Sequence, residues 1–143
     1  MEYRKGTHTV YNIEYHFVWV TKYRYHVLVN DLKTRAREII RQSCMQYEIK
    51  IIKGHVSKDH IHLLVSCPPH LAPSKIIQKL KGKSSYTLQR EFPHLKKRYW
   101  GQHLWAKGYF CTSVGNIDEK TIRDYIEGHL EISPDDSFSV NDD

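Results

Sequence analysis

Three histidines and one tyrosine give this 143-residue chain its most reactive spacing. His60 and His62 flank Ile61 in Ser57-Lys58-Asp59-His60-Ile61-His62-Leu63-Leu64-Val65-Ser66, a segment that reads as a strand. Alternation along a strand puts both imidazoles on one face and Ile61 on the other, which is half a metal site. The other half lies in Ile122-Arg123-Asp124-Tyr125-Ile126-Glu127-Gly128-His129, where helical spacing puts Tyr125 and His129 one turn apart on a single face. A divalent ion held by His60, His62 and His129 keeps open positions for phosphate oxygens, and Tyr125 stands beside it as nucleophile. An ordinary tyrosine ionises near a pKa of about 10, so this chemistry needs a neighbouring cation to favour phenolate.

Each half also has a plainer reading. With 10 histidines in the chain an H-x-H can be a polar strand face, and Tyr99 with His103 repeats the Tyr-x-x-x-His spacing. That second copy is the weaker one, because Gly101 and the basic run after Pro93 argue against a helix there. His8, His16, His26, His55, His70, His94 and His103 receive no catalytic role and read as surface, core or phosphate contacts.

The elements that must hold these groups follow from periodicity. Val10 to Val20 alternates with period two and puts Tyr11, Ile13, Tyr15, Phe17 and Trp19 on one side, which predicts a first strand. Asn30 or Asp31 serves as N-cap for a helix with apolar positions at Leu32, Ala36, Ile39, Ile40, Cys44 and Tyr47. Glu48 to Val56 and His60 to Cys67 form an antiparallel hairpin. Pro73 opens a second helix with Ile76, Ile77, Leu80, Ser84 and Leu88 inward, and Pro93 ends it. A basic loop, 96–101, leads to a fourth strand over roughly Leu104 to Val114. Gly115-Asn116 is a turn, and Asn116 with Glu119 resembles a capping box for a last helix from Asp118 to about Glu131. The order predicts an α+β, ferredoxin-like split βαβ fold: a four-stranded antiparallel sheet with helices on one face and an added C-terminal helix carrying the tyrosine. The His60 strand is central there, with Ile61, Leu63 and Val65 under the helices and the histidines on the open face.

Length fits one domain over residues 1–131, followed by an acidic, mobile tail at 132–143. No apolar run approaches a membrane span, the N-terminus lacks the core of a signal peptide, and Cys44, Cys67 and Cys111 suit reduced thiols, so a cytoplasmic location is expected. The net charge of +6 combines +10 up to Glu131 with four tail carboxylates. From Pro73 to Gly108 there are nine Lys or Arg against Glu91 alone. This stripe, taken as Lys75, Lys79, Lys81, Lys83, Arg90, Lys96, Lys97 and Arg98 for nucleic-acid contacts, is the footprint of a polyanion partner. A solvated charged face is the plainer account, but Tyr86, Tyr99, Trp100 and Trp105 among the cations suit stacking on unpaired bases.

Other H-x-H enzymes fit poorly: a histidine-triad hydrolase wants a third His where Leu64 stands, and a two-histidine phosphoesterase wants paired H-x-T motifs, which are absent. D-H-I-H-L-L-V at 59–65, K-G-K-S-S at 81–85, L-W-A-K-G-Y-F at 104–110 and Y-I-E-G-H at 125–129 together resemble the single-tyrosine HUH transposases of the TnpA type, or their REP-associated relatives, from about Tyr15 to His129. HUH denotes two histidines around a bulky apolar residue. The resemblance implies cleavage and rejoining of single-stranded DNA at insertion-sequence ends through a 5'-phosphotyrosine at Tyr125. It further implies Mg²⁺ or Mn²⁺ on His60, His62 and His129, recognition of DNA hairpins, and a homodimer in which one tyrosine helix can complete the partner's site. Position 129 is commonly Gln in that family; an imidazole there shifts preference toward Mn²⁺ or softer ions. The alternative function is a non-catalytic single-stranded nucleic-acid binder or repressor, with Tyr11, Tyr15 and Trp19 as stacking groups.

Overall fold

The structure is a computed structural model that describes residues 3–99, 103–113 and 119–128. In chain order it contains β1 (Arg4–Lys5), β2 (Val10–Tyr11), β3 (Glu14–Val20), a 3-10 turn (Lys22–Arg24), α1 (Asn30–Gln46), β4 (Lys50–Val56), β5 (His60–Ser66), α2 (Pro73–Glu91), α3 (Pro93–Arg98), β6 (Phe110–Thr112) and α4 (Glu119–Glu127). The main sheet is antiparallel in the order β4-β5-β3-β6, which is the split βαβ arrangement with β5 and β3 central.

Period-two alternation in β3 and β5 decides the two layers. Phe17, Trp19, Ile61, Leu63 and Val65 enter one core beneath α1 and α2, joined by Leu32, Ala36, Ile39, Ile40 and Cys44 from α1 and Ile76, Ile77, Leu80 and Leu88 from α2. Trp105 donates its indole N–H to Ser84 Oγ within that core, at 3.0 Å. On the other face Val18 and Val20 form a smaller cluster with Ala106, Phe110 and, from α4, Ile122, Tyr125 and Ile126. The helices α1 and α2 therefore cover one face, and α4 lies on the face that carries the histidines.

Several boundaries depart from the sequence expectation. The first strand breaks at Asn12 and Ile13, and its leading part pairs with β1 in a separate ribbon. Arg4 ties that ribbon down by donating to the carbonyls of Ser66 (3.1 Å) and Glu48 (2.9 Å). Neither Asn30 nor Asp31 caps α1: Val29 is the residue before the helix, and Asn30 enters it with φ of 54°. Pro93 ends α2 but also opens α3, so Lys96, Lys97 and Arg98 are helical rather than a loop, anchored by fully buried Leu95. The last strand shortens to three residues because the chain before it follows other partners: Lys22 N–H donates to Leu104 O, Ala106 N–H to Val20 O, and Gly108 takes φ of 82°. The Gly115-Asn116 turn, the capping role of Asn116, Trp100 and the 132–143 tail lie outside the described residues.

Candidate active site on the open face of the sheet

Residues directly opposite one another in an antiparallel pair project to the same face. In the β3–β5 register Val20 stands opposite His60 and Val18 opposite His62. The same two valines form the floor on which α4 packs. Tyr125 lies in that packing, with its ring 5.7 Å from Phe110 between centroids. The structure thus brings His60, His62 and Tyr125 to one face of one chain. His129 lies outside the described residues.

His60 is oriented by its sequence neighbour. Its Nδ1 is 2.8 Å from Asp59 Oδ1, and the other oxygen of Asp59 accepts from Arg24 Nε at 3.0 Å in an ion pair almost wholly buried. Burial by itself raises the Asp59 carboxyl, but the hydrogen bonds and charges of His60 and Arg24 outweigh it and hold that group below its ordinary value. A carboxylate facing Nδ1 favours the tautomer that carries its proton there and leaves Nε2 as the lone-pair donor.

His62 sits in a more crowded position. Its Nε2 is 3.2 Å from Nδ1 of His16, with ring centroids 5.4 Å apart. Burial, followed by the charges of His16, His60, His55 and Lys53, pushes its pKa down to about 4, so the ring is neutral at ordinary pH. A neutral imidazole is the form that binds metal. Ligation through Nε2 requires the His16 contact to open. Tyr125 is pushed the opposite way, up to about 12, by burial. A protonated phenol is a weak nucleophile, which raises the demand for a cation or base beside it.

The sequence assigns no role to Asp59 or His16, yet both touch the histidine pair. His16 has a detectable signal, since it alternates with Phe17 and so faces the same way as Val18 and Val20. Asp59 has none beyond adjacency, because its other partner, Arg24, lies 35 residues away.

The expected nucleic-acid contacts separate into groups. Lys75, Lys83, Arg90, Lys96, Lys97 and Arg98 are exposed. The Lys79 ammonium lies 4.4 Å from the Tyr47 ring centroid, Arg90 stacks on exposed Tyr86, and Arg98 lies 3.7 Å from the Tyr25 centroid. Lys81 turns inward and donates to the carbonyls of Ala106 (2.8 Å) and Gly108 (3.0 Å). Among the interleaved aromatics, Tyr99 and Trp105 are core residues, 2% and 4% exposed, so they are not free to stack on bases; Tyr86 is 63% exposed.

A family model described as "Transposase IS200 like" matches residues 9–129. The chain belongs to that family. It is 35% identical over 127 residues to the ISDra2 transposase TnpA of Deinococcus radiodurans, covering 89% of this chain and 91% of that protein. It is 36% identical over 124 residues to the IS200 transposase of Salmonella typhimurium, covering 87% and 81% respectively. A crystal structure of a putative transposase from Deinococcus radiodurans superposes with a TM-score of 0.81 at 34% identity, over 88% of this chain and 97% of that one. A REP-associated tyrosine transposase, solved bound to a REP hairpin, superposes with a TM-score of 0.55 at 15% identity over 89% and 68%; that likeness concerns the fold alone. An IS200-like transposase acts on DNA in strand transfer, and among the described residues no helix is long and apolar enough to cross a membrane.

A divalent ion suits the donors this transposase presents. His60 has its Nδ1 engaged and Nε2 left to ligate, and His62 is neutral. Among the described residues no cluster of three or more His, Cys, Asp or Glu side chains is arranged for a metal, and the expected third ligand is His129.

Proposed function

We propose that this IS200-like transposase cuts and rejoins single-stranded DNA through Tyr125, with His60, His62 and His129 as ligands of a Mg²⁺ or Mn²⁺ ion. The observation that carries the reading is the packing of α4 on Val18 and Val20, the residues that stand opposite His62 and His60. A nucleophile and two imidazole rings thereby share one half-buried surface. When bound, the ion supplies charge stabilisation at the scissile phosphate.

Tyr125 Oη attacks phosphorus and gives up its phenol proton, the Oη–P bond forms as the bond from phosphorus to the 3'-oxygen breaks, and the departing oxygen takes up one proton in exchange. The product is a 5'-phosphotyrosine with a free 3'-hydroxyl. One phosphate ester replaces another, so attack by a second 3'-hydroxyl rejoins strands without ATP. His60 and His62 hold the ligand geometry, and the apolar floor of Val18, Val20 and Phe110 limits water that would otherwise hydrolyse the ester. DNA hairpins near the element ends are the recognised feature, bound by exposed cations including Lys75, Lys83, Arg90, Lys96, Lys97 and Arg98, with two copies forming a homodimer.

The test is incubation with single-stranded hairpin DNA from the flanks of the gene, with Mn²⁺ or Mg²⁺, followed by denaturing gel analysis. An SDS-resistant protein–DNA adduct is expected, absent in Tyr125→Phe. His60→Ala is expected to abolish the adduct while hairpin binding persists. Binding without any adduct in the native chain would favour the non-catalytic binder, and an adduct surviving in Tyr125→Phe would remove the nucleophile assignment.

A further inference from the structure

Two unfavourable features coincide next to His60. The first is the buried ion pair of Arg24 and Asp59, each 3% exposed. A buried pair is a weak stabiliser compared with well-packed apolar side chains of similar volume. The second is backbone strain: Tyr23 (φ 61°) and Arg24 (φ 53°) are consecutive non-glycine residues in the left-handed region. Such conformations persist only where the surroundings over-determine them. Here they do. Thr21 N–H donates to Asp59 O at 2.9 Å, Thr21 Oγ donates to Tyr25 O at 2.8 Å, Lys22 N–H to Leu104 O at 2.8 Å and Leu28 N–H to Lys58 O at 2.9 Å. The strained turn and the β4–β5 hairpin are thereby locked to each other, and the lock ends on the Nδ1 of His60.

We infer that Arg24 and Asp59 are positioning residues for DNA cleavage, holding the His60 ring with its proton on Nδ1 and its Nε2 lone pair turned to the metal position. The inference rests on the HUH reading of His60. Arg24 has only N–H groups to offer, so it requires an acceptor from residue 59 and fixes which oxygen is left for His60. The carboxylate satisfies both neighbours as acceptor. An amide cannot do so equally: in Asp59→Asn the oxygen goes to Arg24, the NH2 group faces His60 Nδ1, and the ring must move its proton to Nε2. Partners of this kind behind a metal ligand commonly change metal affinity or activity by about 10- to 100-fold.

The experiment uses metal-free, isotope-labelled full-length protein, with the His60 tautomer read from ring ¹⁵N shifts at a pH where the imidazoles are neutral. Mn²⁺ affinity is read separately by electron paramagnetic resonance of the free ion. The native chain is expected to show the Nδ1–H tautomer; Nε2–H, or an even mixture, overturns the inference without any variant. Asp59→Asn is expected to invert the tautomer and weaken Mn²⁺ binding by about 10- to 100-fold while hairpin binding is kept. A lower melting temperature with unchanged tautomer and Mn²⁺ affinity would mean a merely structural pair and overturn it. His60→Ala separates the two ideas. If that variant still binds Mn²⁺ like the native chain, the metal reading fails, whereas the tautomer of the native chain still decides the role of Asp59.

Discussion

His62 is neutral because of where it stands, and that has a measurable cost in acid. Its folded pKa is pushed from 6.5 to about 4, by burial first and then by His16, His60, His55 and Lys53. A histidine in the unfolded chain takes up its proton near pH 6.5, so between that pH and about 4 the unfolded state binds more protons than the folded one. The contribution to stability is therefore complete above pH 6.5 and is lost as the pH falls toward 4. Metal-free protein in chelator, denatured with urea across this window, should lose stability with falling pH, and His62→Asn should flatten that slope. An equal slope in both proteins would place the acid sensitivity elsewhere. The same environment serves the proposed chemistry, since a ring that resists protonation stays available as a nitrogen donor.

The connection from α1 to β4 shows how an element can end without the residue that sequence rules favour. Glu48 takes φ of 59°, its N–H donates to Met45 O, and Ile49 N–H reaches back to Cys44 O at 2.8 Å, with Ile49 and Cys44 both buried. This is a Schellman closure, a place where glycine is usual. Glu48→Gly should relieve the left-handed penalty, less the entropy glycine loses, for a net gain of about 0.5–1 kcal/mol. The melting temperature should rise by about 1–4 °C in a domain of this size. A fall would mean the Glu48 side chain contributes more than its backbone strain costs. Elements with their own period were legible in the sequence: the inward set Ile76, Ile77, Leu80, Ser84 and Leu88 of α2 is the buried set observed, and Ile61, Leu63 and Val65 face the core as alternation requires. What the sequence concealed depends on distant partners. The short β6 answers to Val20 and Lys22, and the Arg24–Asp59–His60 chain needs two left-handed residues that no periodicity announces.

The molecule separates its charge from its proposed chemistry. The outward side of α2, with Lys75, Lys79, Lys83, Tyr86 and Arg90 at near-helical spacing, is across the sheet from His60, His62 and Tyr125, because the inward side of α2 fills the core under Ile61, Leu63 and Val65. A DNA that touches both surfaces must pass around an edge of the sheet, so under the proposed function tight binding and cleavage should respond to different substitutions. The second consequence concerns which chain completes the site. Here α4 packs on β3 of its own chain, with Ile126 7% exposed against Val18 and Val20, so the tyrosine helix lies on the histidine-bearing face of its own sheet. Mixing Tyr125→Phe with His60→Ala tests this directly, since one supplies only intact histidines and the other only the tyrosine. After the two are co-refolded so that copies can exchange, no DNA adduct should form in either chain. If adduct appears on the His60→Ala chain, its helix has crossed to the histidines of a neighbouring subunit, and the packing of α4 on its own sheet is then not the arrangement that cuts.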